Sequence, residues 1–275
     1  MFTEHVDKCF RRLGLRTNPF SSTPDTQFFY PSMQHVTAIK HMQYGAVNAS
    51  ISLITGAIGT GKTLLCRTFL KEVQNEMATA YIFNPLQSEQ DLLFNIYHDL
   101  GGTKTGPHSV GEWYKAINRL VITHAKNGKR SVIVVDEAHR LSLRALEVLR
   151  LLTNLETERR KLLTIILVGQ TELEAKLDNV SLFALKQRIS IHIRLKPLSH
   201  KEVGNYVKYR LSVAGAQSDL FSPAALKLLA FLSKGTPRII NKIAERALLA
   251  IYIKEVFQAG TRDILQSYNE TKRIT

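Results

Sequence analysis

Gly56-Ala57-Ile58-Gly59-Thr60-Gly61-Lys62-Thr63 reads G-x-x-x-x-G-K-T. It follows the apolar run Ile51–Ile54 and opens a stretch of helical spacing through Leu64, Leu65 and Phe69. A glycine-rich turn between strand and helix curls several backbone N–H groups toward one point. The helix N-terminus adds a field that favours anions. In that setting the Lys62 ammonium reaches the outer phosphates of a nucleotide, and the Thr63 hydroxyl offers a hard oxygen to Mg²⁺. The spacing predicts a nucleotide phosphate site over Gly56–Leu64.

Seventy-four residues beyond Lys62, Ser131-Val132-Ile133-Val134-Val135 ends in Asp136-Glu137. Two acids at the tip of a buried strand are costly unless they meet a cation. Asp136 suits a place in the Mg²⁺ shell, and Glu137 suits a general base that polarises an attacking water. A second strand-like run, Leu163–Val168, ends in Gly169-Gln170, whose amide suits a γ-phosphate contact or the orienting of water. Arg188, in Leu185-Lys186-Gln187-Arg188-Ile189, is placed to enter a neighbouring subunit's site and meet transition-state charge there. Arg238, after Gly235-Thr236-Pro237, is placed to reach back to the γ-phosphate. The aromatic-rich stretch Leu13–Phe20 with Phe28-Phe29-Tyr30 suits either stacking on a base or docking of an N-terminal arm. No histidine pairs with cysteines or acids at metal-ligand spacing, and His139 reads as a loop residue after the third strand.

Five β-branched runs must position these residues: Ser52–Thr55, Thr79–Phe83, Ser131–Val135, Leu163–Val168 and Ser190–Leu195. The middle ones are continuous rather than alternating, as in strands covered on both faces. Between them Gln90–Leu100, Val110–Asn127 and Ser142–Thr157 have helical spacing, so the alternation predicts a parallel sheet between helix layers. Lys196-Pro197-Leu198-Ser199 breaks the pattern. Beyond it the chain reads as all-helical, with Ser199 capping Lys201–Val213, Ser222-Pro223 opening Ala224–Ser233, and a helix over Arg238–Ile253. The expected domains are 1–196, an arm plus the nucleotide-binding domain, and 197–275, a helical lid.

At 275 residues with 44% apolar and 22% charged composition, the chain has ample length for a buried core. No apolar run reaches the roughly 18 residues of a membrane helix, and the N-terminus lacks the apolar centre of a secretory signal. Two cysteines, Cys9 and Cys66, argue against a disulfide framework and for a reducing cytoplasm. Residues 181–275 hold 16 Lys and Arg against 6 Asp and Glu, whereas the preceding 180 hold 21 against 17. Such asymmetry fits an anionic partner or simply a solvated basic face.

With these motifs in order, the chain resembles the AAA+ ATPases, and among them the secretion-pathway ATPases of the ExeA/GspA type. Leu13-Gly14-Leu15-Arg16-Thr17-Asn18-Pro19-Phe20, the phosphate loop, Val134-Val135-Asp136-Glu137-Ala138-His139, Leu149–Thr157, Gly169-Gln170 and Gln187-Arg188-Ile189 carry the likeness, over residues 10–250. It is nearest to the short pilus-biogenesis members of the mannose-sensitive haemagglutinin (MSHA) system. The resemblance implies ATP with Mg²⁺, an αβα sandwich with strand order 5-1-4-3-2 followed by a helical lid, and self-association into rings or arcs. It assigns Gln170 as first sensor, Arg188 as the arginine acting in trans and Arg238 as second sensor. Gln170 stands where asparagine or threonine is commoner. Long secretion members carry a membrane helix and a peptidoglycan-binding domain; ending at Thr275 without them, this chain is expected to be cytoplasmic and to meet the inner membrane through a partner protein. The related transposition regulators (TnsC/TniB-like) share the core, so a DNA-bound ATPase switch is the second function class beside an envelope assembly ATPase.

Overall fold

The computed structural model describes residues 10–83, 85, 88–103, 109–156 and 161–273; Glu4, Asp7, Lys8, Cys9, Thr157 and Thr275 lie outside them. The chain divides into two compact units. One comprises residues 33–58 and 65–195; the other comprises the described residues to Ser32, Gly59–Leu64 and the chain from Lys196 onward.

The first unit is built on helix α1 (Met33–Asn48) and five parallel strands: β1 (Ile51–Gly56), β2 (Met77–Ile82), β3 (Arg130–Val135), β4 (Leu163–Gly169) and β5 (Ile189–Leu195). Helices α2 (Lys62–Val73, in this unit from Leu65 onward), α3 (Glu89–Asp99), α4 (Val110–Lys126), α5 (Leu143–Leu152), α6 (Glu172–Leu177) and α7 (Phe183–Lys186) connect them. The order is β2-β3-β4-β1-β5, the same sheet as 5-1-4-3-2. Every residue of β1 and β4 is buried, which is why their apolar runs do not alternate. Edge strand β5 does alternate: Ser190, His192 and Arg194 are exposed while Ile189, Ile191 and Ile193 are half-buried.

Helix starts follow local chemistry. Ser88 and Asp91 form a reciprocal capping box at α3, and Ser109 and Ser142 accept from the third residues of α4 and α5. Trp113, Ile117 and Val121 line the buried face of α4 at four-residue spacing. Helix α5 stops at Leu152, short of the expected Thr157. There the Thr153 hydroxyl donates to the Arg150 carbonyl at 2.7 Å, and Glu156 pairs with Lys161 as an antiparallel bridge.

In the second unit, α8 (His200–Val213), α9 (Pro223–Ser233), α10 (Pro237–Ile253) and α11 (Thr261–Lys272) pack around Val207, Leu229, Ile240, Ile243 and Leu248. The sequence groups the N-terminal arm with the sheet domain; its side chains instead join this helical core, with Phe10, Leu15, Phe20 and Phe28 all buried. Arg210 secures the arm. Its guanidinium donates to the Pro19 carbonyl and lies 4.9 Å from the Phe28 ring centre. Of the two uses open to these aromatics, Phe20 and Phe28 serve docking, since neither has a face left for a base. Among the described residues, no helix is long and apolar enough to cross a membrane.

Candidate functional site

The phosphate-loop sequence forms the strand–turn–helix its pattern requires. Strand β1 ends at Gly56 and α2 begins at Lys62. Thr60 and Lys62 are buried. Gly59 has φ +80° and Gly61 φ +98°, a left-handed backbone that side-chain-bearing residues adopt at a cost. At Gly59 the space is closed as well. A Cβ there would stand 2.7 Å from Arg238 Cβ, and the Gly59 carbonyl accepts from the Arg238 N–H at 3.2 Å. The first turn of α10 therefore rests directly on the loop.

The acid pair sits just past β3. Asp136 is wholly buried, yet its charge is well met: Oδ2 accepts from the Tyr81 hydroxyl at 3.0 Å and Oδ1 from the Glu137 N–H at 2.9 Å. Its own N–H donates to the Ile82 carbonyl at 2.9 Å, tying the strand tip to β2. Burial, reinforced by the Asp136 charge, pushes the Tyr81 hydroxyl far above its usual range, so it stays a donor. Glu137 has φ +54° and ψ +31°, a conformation that costs roughly 1 kcal/mol or more for a residue with a side chain. That turn faces the two acids apart: Asp136 inward, and Glu137 outward with 28% of its side chain exposed.

His139 occupies the short helical turn Ala138–Arg140 and touches Glu137 and Gln170. Its Nε2 is 3.6 Å from Glu137 Oε2 and 3.3 Å from the Gln170 side-chain amide; its Nδ1 lies 3.5 Å from the Gln170 backbone N. Lys176 on α6 fixes the turn from below, donating to the carbonyls of His139 and Leu141. Gly169 allows the close approach, since a Cβ there would meet the His139 N at 3.3 Å and Leu173 Cδ2 at 2.8 Å. Arg188 donates to the Thr153 hydroxyl at 2.6 Å, so it is anchored within its own chain. The structure thus brings Asp136, Glu137 and Gln170 into one connected set and adds Tyr81, His139 and Lys176 to it, whereas Arg188 bonds to Thr153. His139 has a signal in the sequence, as the last residue of D-E-A-H; the partners of Tyr81, Lys176 and Thr153 are set only by folding.

A profile of the AAA domain matches residues 46–177, which include the phosphate loop, the acid pair and Gln170. General secretion pathway protein A of Aeromonas hydrophila is 41% identical over 242 residues, covering 88% of this chain and 44% of that protein. The chain belongs to the AAA+ ATPases of the ExeA/GspA type. It spans less than half the length of that curated relative. The fold is also that of Cdc6p from Pyrobaculum aerophilum, at TM-score 0.73 and 17% identity over 92% of this chain and 70% of the other. The Aeropyrum pernix ORC1 protein in complex with DNA matches at TM-score 0.66 and 17% identity, covering 90% and 70%. The RuvB Holliday junction branch migration motor of Thermotoga maritima matches at TM-score 0.58 and 19% identity, covering 86% and 67%. The sheet order of this AAA+ chain is the one its resemblance implies.

Proposed function

We propose that this AAA+ chain is a Mg²⁺-dependent ATP hydrolase acting as an assembly or regulatory ATPase in type IV (MSHA-like) pilus or type II secretion biogenesis. The observation that carries the hydrolytic reading is the split pair: Asp136 buried and fixed by two donors, Glu137 turned outward beside it. The envelope role is supported by the general secretion pathway relative.

In this reading the N–H groups of Gly56–Leu64 and the Lys62 ammonium bind the ATP phosphates. Thr63 and Asp136 are the hard oxygen donors for Mg²⁺, which favours one or two carboxylates plus phosphate oxygens and supplies charge neutralisation on the transferring group. Among the described residues no cluster of three His, Cys, Asp or Glu competes for a metal, which suits a cation that arrives with the nucleotide. Glu137 accepts the proton of the attacking water, and Gln170 orients that water or reads the γ-phosphate. Arg238 senses the γ-phosphate from α10. Arg188 completes a neighbour's site, so turnover requires self-association into a ring or arc. The chain works in the cytoplasm and reaches the inner membrane through a partner protein.

Glu137→Gln tests the core of this reading. The variant should bind ATP with near wild-type affinity and lose turnover by roughly a hundredfold or more. Hydrolysis at the wild-type rate would remove Glu137 as the base.

A DNA-bound ATPase switch is the second reading, and one observation favours it. All six acids of residues 181–275 are engaged: Glu202 caps α8, Asp219 pairs with Lys208, Glu245 with Asn18, Glu255 with Arg12, Asp263 with Lys254 and Glu270 with Arg246. The 16 basic residues of that stretch thus outweigh acids that are already committed. Binding to duplex DNA tighter than about micromolar at 150 mM salt and dependent on ATP would favour this reading. Binding that vanishes between about 50 and 200 mM would mark incidental basic charge.

A further inference from the structure

We propose that His139 is a positioning residue that links the sensor Gln170 to the base Glu137, so that the carboxylate is held for water activation through the imidazole. The proposal rests on the ATPase reading above and adds a residue to it. Two features of the structure carry it: the imidazole lies between the two side chains, and the backbone around it is built tightly enough to keep it there.

The contacts fix which ring nitrogen does what. Gln170 N–H is directed at His139 Nδ1 at 3.5 Å, so Nδ1 serves as the acceptor and the neutral ring carries its proton on Nε2. That Nε2–H then faces the Glu137 Oε2 at 3.6 Å and the Gln170 side-chain amide, whose nitrogen stands at 3.3 Å and whose oxygen takes that place as an acceptor once the amide is rotated by 180°. A carboxylate and an amide oxygen are the two acceptors such a donor can serve. With the amide oxygen turned toward it, the ring satisfies Gln170; with the amide turned away to a γ-phosphate, the same donor is left to Glu137 alone. The distances are long for hydrogen bonds, as is common in sites that tighten only around bound substrate. Occupancy of the sensor would thereby be converted into orientation of the base.

The frame around the ring is rigid. Lys176 Nζ donates to the His139 and Leu141 carbonyls, pinning the turn at both ends. Gly169 lets the β4 tip, with Gln170, lie against the His139 backbone. Glu137 sits in a left-handed conformation, φ +54°, two residues before the ring. Only 17% of the His139 side chain is exposed, so the imidazole has little room to swing elsewhere. Strain and burial here hold the ring against both the sensor and the base.

The test compares His139→Ala, His139→Asn and His139→Gln in the full chain, reading mant-ATP affinity and the kcat and KM of ATP hydrolysis. A glutamine amide reaches the position of Nε2, whereas an asparagine amide reaches only that of Nδ1. The expected order of kcat is wild type, then Gln, then Asn and Ala together, with the last two down by about 10- to 100-fold and ATP affinity within about twofold throughout. Gln170→Ala combined with His139→Ala should be no slower than the slower single variant, because both act on one carboxylate. Unchanged kcat in His139→Ala, or equal kcat in the Gln and Asn variants, overturns the proposal. If His139→Ala melts before it can be assayed, the Gln–Asn comparison decides, since both keep a polar group in the turn. Glu137→Gln runs alongside: if it retains full turnover, the ATPase assignment of the base fails, which is a different result from an inert His139.

Discussion

The Tyr81 hydroxyl donates to Asp136 Oδ2 at 3.0 Å, joining the last turn of side chains on β2 to the acid beyond β3. The parallel register sets this up, since Tyr81 lies opposite Val134 and Ile82 opposite Val135, two and one residues short of Asp136. A buried carboxylate stripped of one donor loses roughly 1–3 kcal/mol of stabilisation. Tyr81→Phe should therefore lower thermal stability modestly. Its sharper effect should be on the metal requirement of hydrolysis, because Asp136 then has one fewer of the donors that orient it toward Mg²⁺. A several-fold rise in the Mg²⁺ concentration for half-maximal rate, with the maximal rate kept, is the expected result. An unchanged Mg²⁺ titration would leave Tyr81 with a packing role only.

Arg188 is held by Thr153 at 2.6 Å in the single chain, and Thr153 in turn donates to the Arg150 carbonyl. To act on a neighbour's phosphate the guanidinium must leave that hydroxyl. Arg188→Ala should lower hydrolysis by roughly a thousandfold or more and leave ATP affinity nearly unchanged, as loss of an arginine acting on transition-state charge does. Mixing it with Glu137→Gln should restore some turnover, since an intact base then meets an intact arginine. No recovery, together with monomers by light scattering in ATP, would end the shared-site reading.

Much of this architecture is legible from residue order because buried parallel strands leave continuous apolar runs. Ile51–Ile54 and Leu163–Val168 announce β1 and β4, and the acids and amide at strand tips locate one rim of the site. Three things are not legible. Helix α1 carries Val36, Thr37 and Gly45, poor helix formers whose cost is offset by packing that periodicity does not reveal. Helix α11 is mostly polar and, beside Ile264, buries Asp263, Ser267 and Thr271, so only a short apolar stripe marks it. The contacts of His139 and Thr153 depend on where turns and strand tips meet, and Thr153 meets Arg188 across 35 residues. Residue types name candidates for chemistry; tertiary structure decides which ones touch.

Asp263 gives the helical unit a pH dependence. Burial alone would raise its carboxyl, but donors outweigh it: Lys254 Nζ at 2.6 Å and the Gly260 N–H at 2.8 Å hold the group below the usual carboxylate value. A folded-state value below the unfolded one contributes stability in full above the ordinary carboxylate range. That contribution is lost as pH falls from there through the folded value. Asp263→Asn should thus melt earlier than wild type at pH 7, by an amount on the order of 1–2 kcal/mol for a charge-assisted bond. The gap should close under acid. Parallel melting curves at pH 7 would show that the pair contributes nothing to holding α11.

Gly59 joins loop chemistry to α10 through both its conformation and its missing side chain. At φ +80° an alanine costs roughly 1–2 kcal/mol of backbone strain, and its Cβ would press on Arg238 at 2.7 Å. The Gly59 carbonyl would also shift from the Arg238 N–H that it now meets at 3.2 Å. Gly111 is the matched control, lying in the first turn of α4 with nothing within 4 Å of an added Cβ. Gly111→Ala should leave ATP affinity untouched and stability level or slightly raised. Gly59→Ala should lose tenfold or more in ATP affinity by mant-ATP titration and melt earlier as well. Because the strain falls on the loop itself, the affinity loss should persist at temperatures where circular dichroism shows the variant fully folded. Wild-type affinity under those conditions would mean that the phosphates are gripped by Lys62 and α2 with little contribution from the curl of the loop.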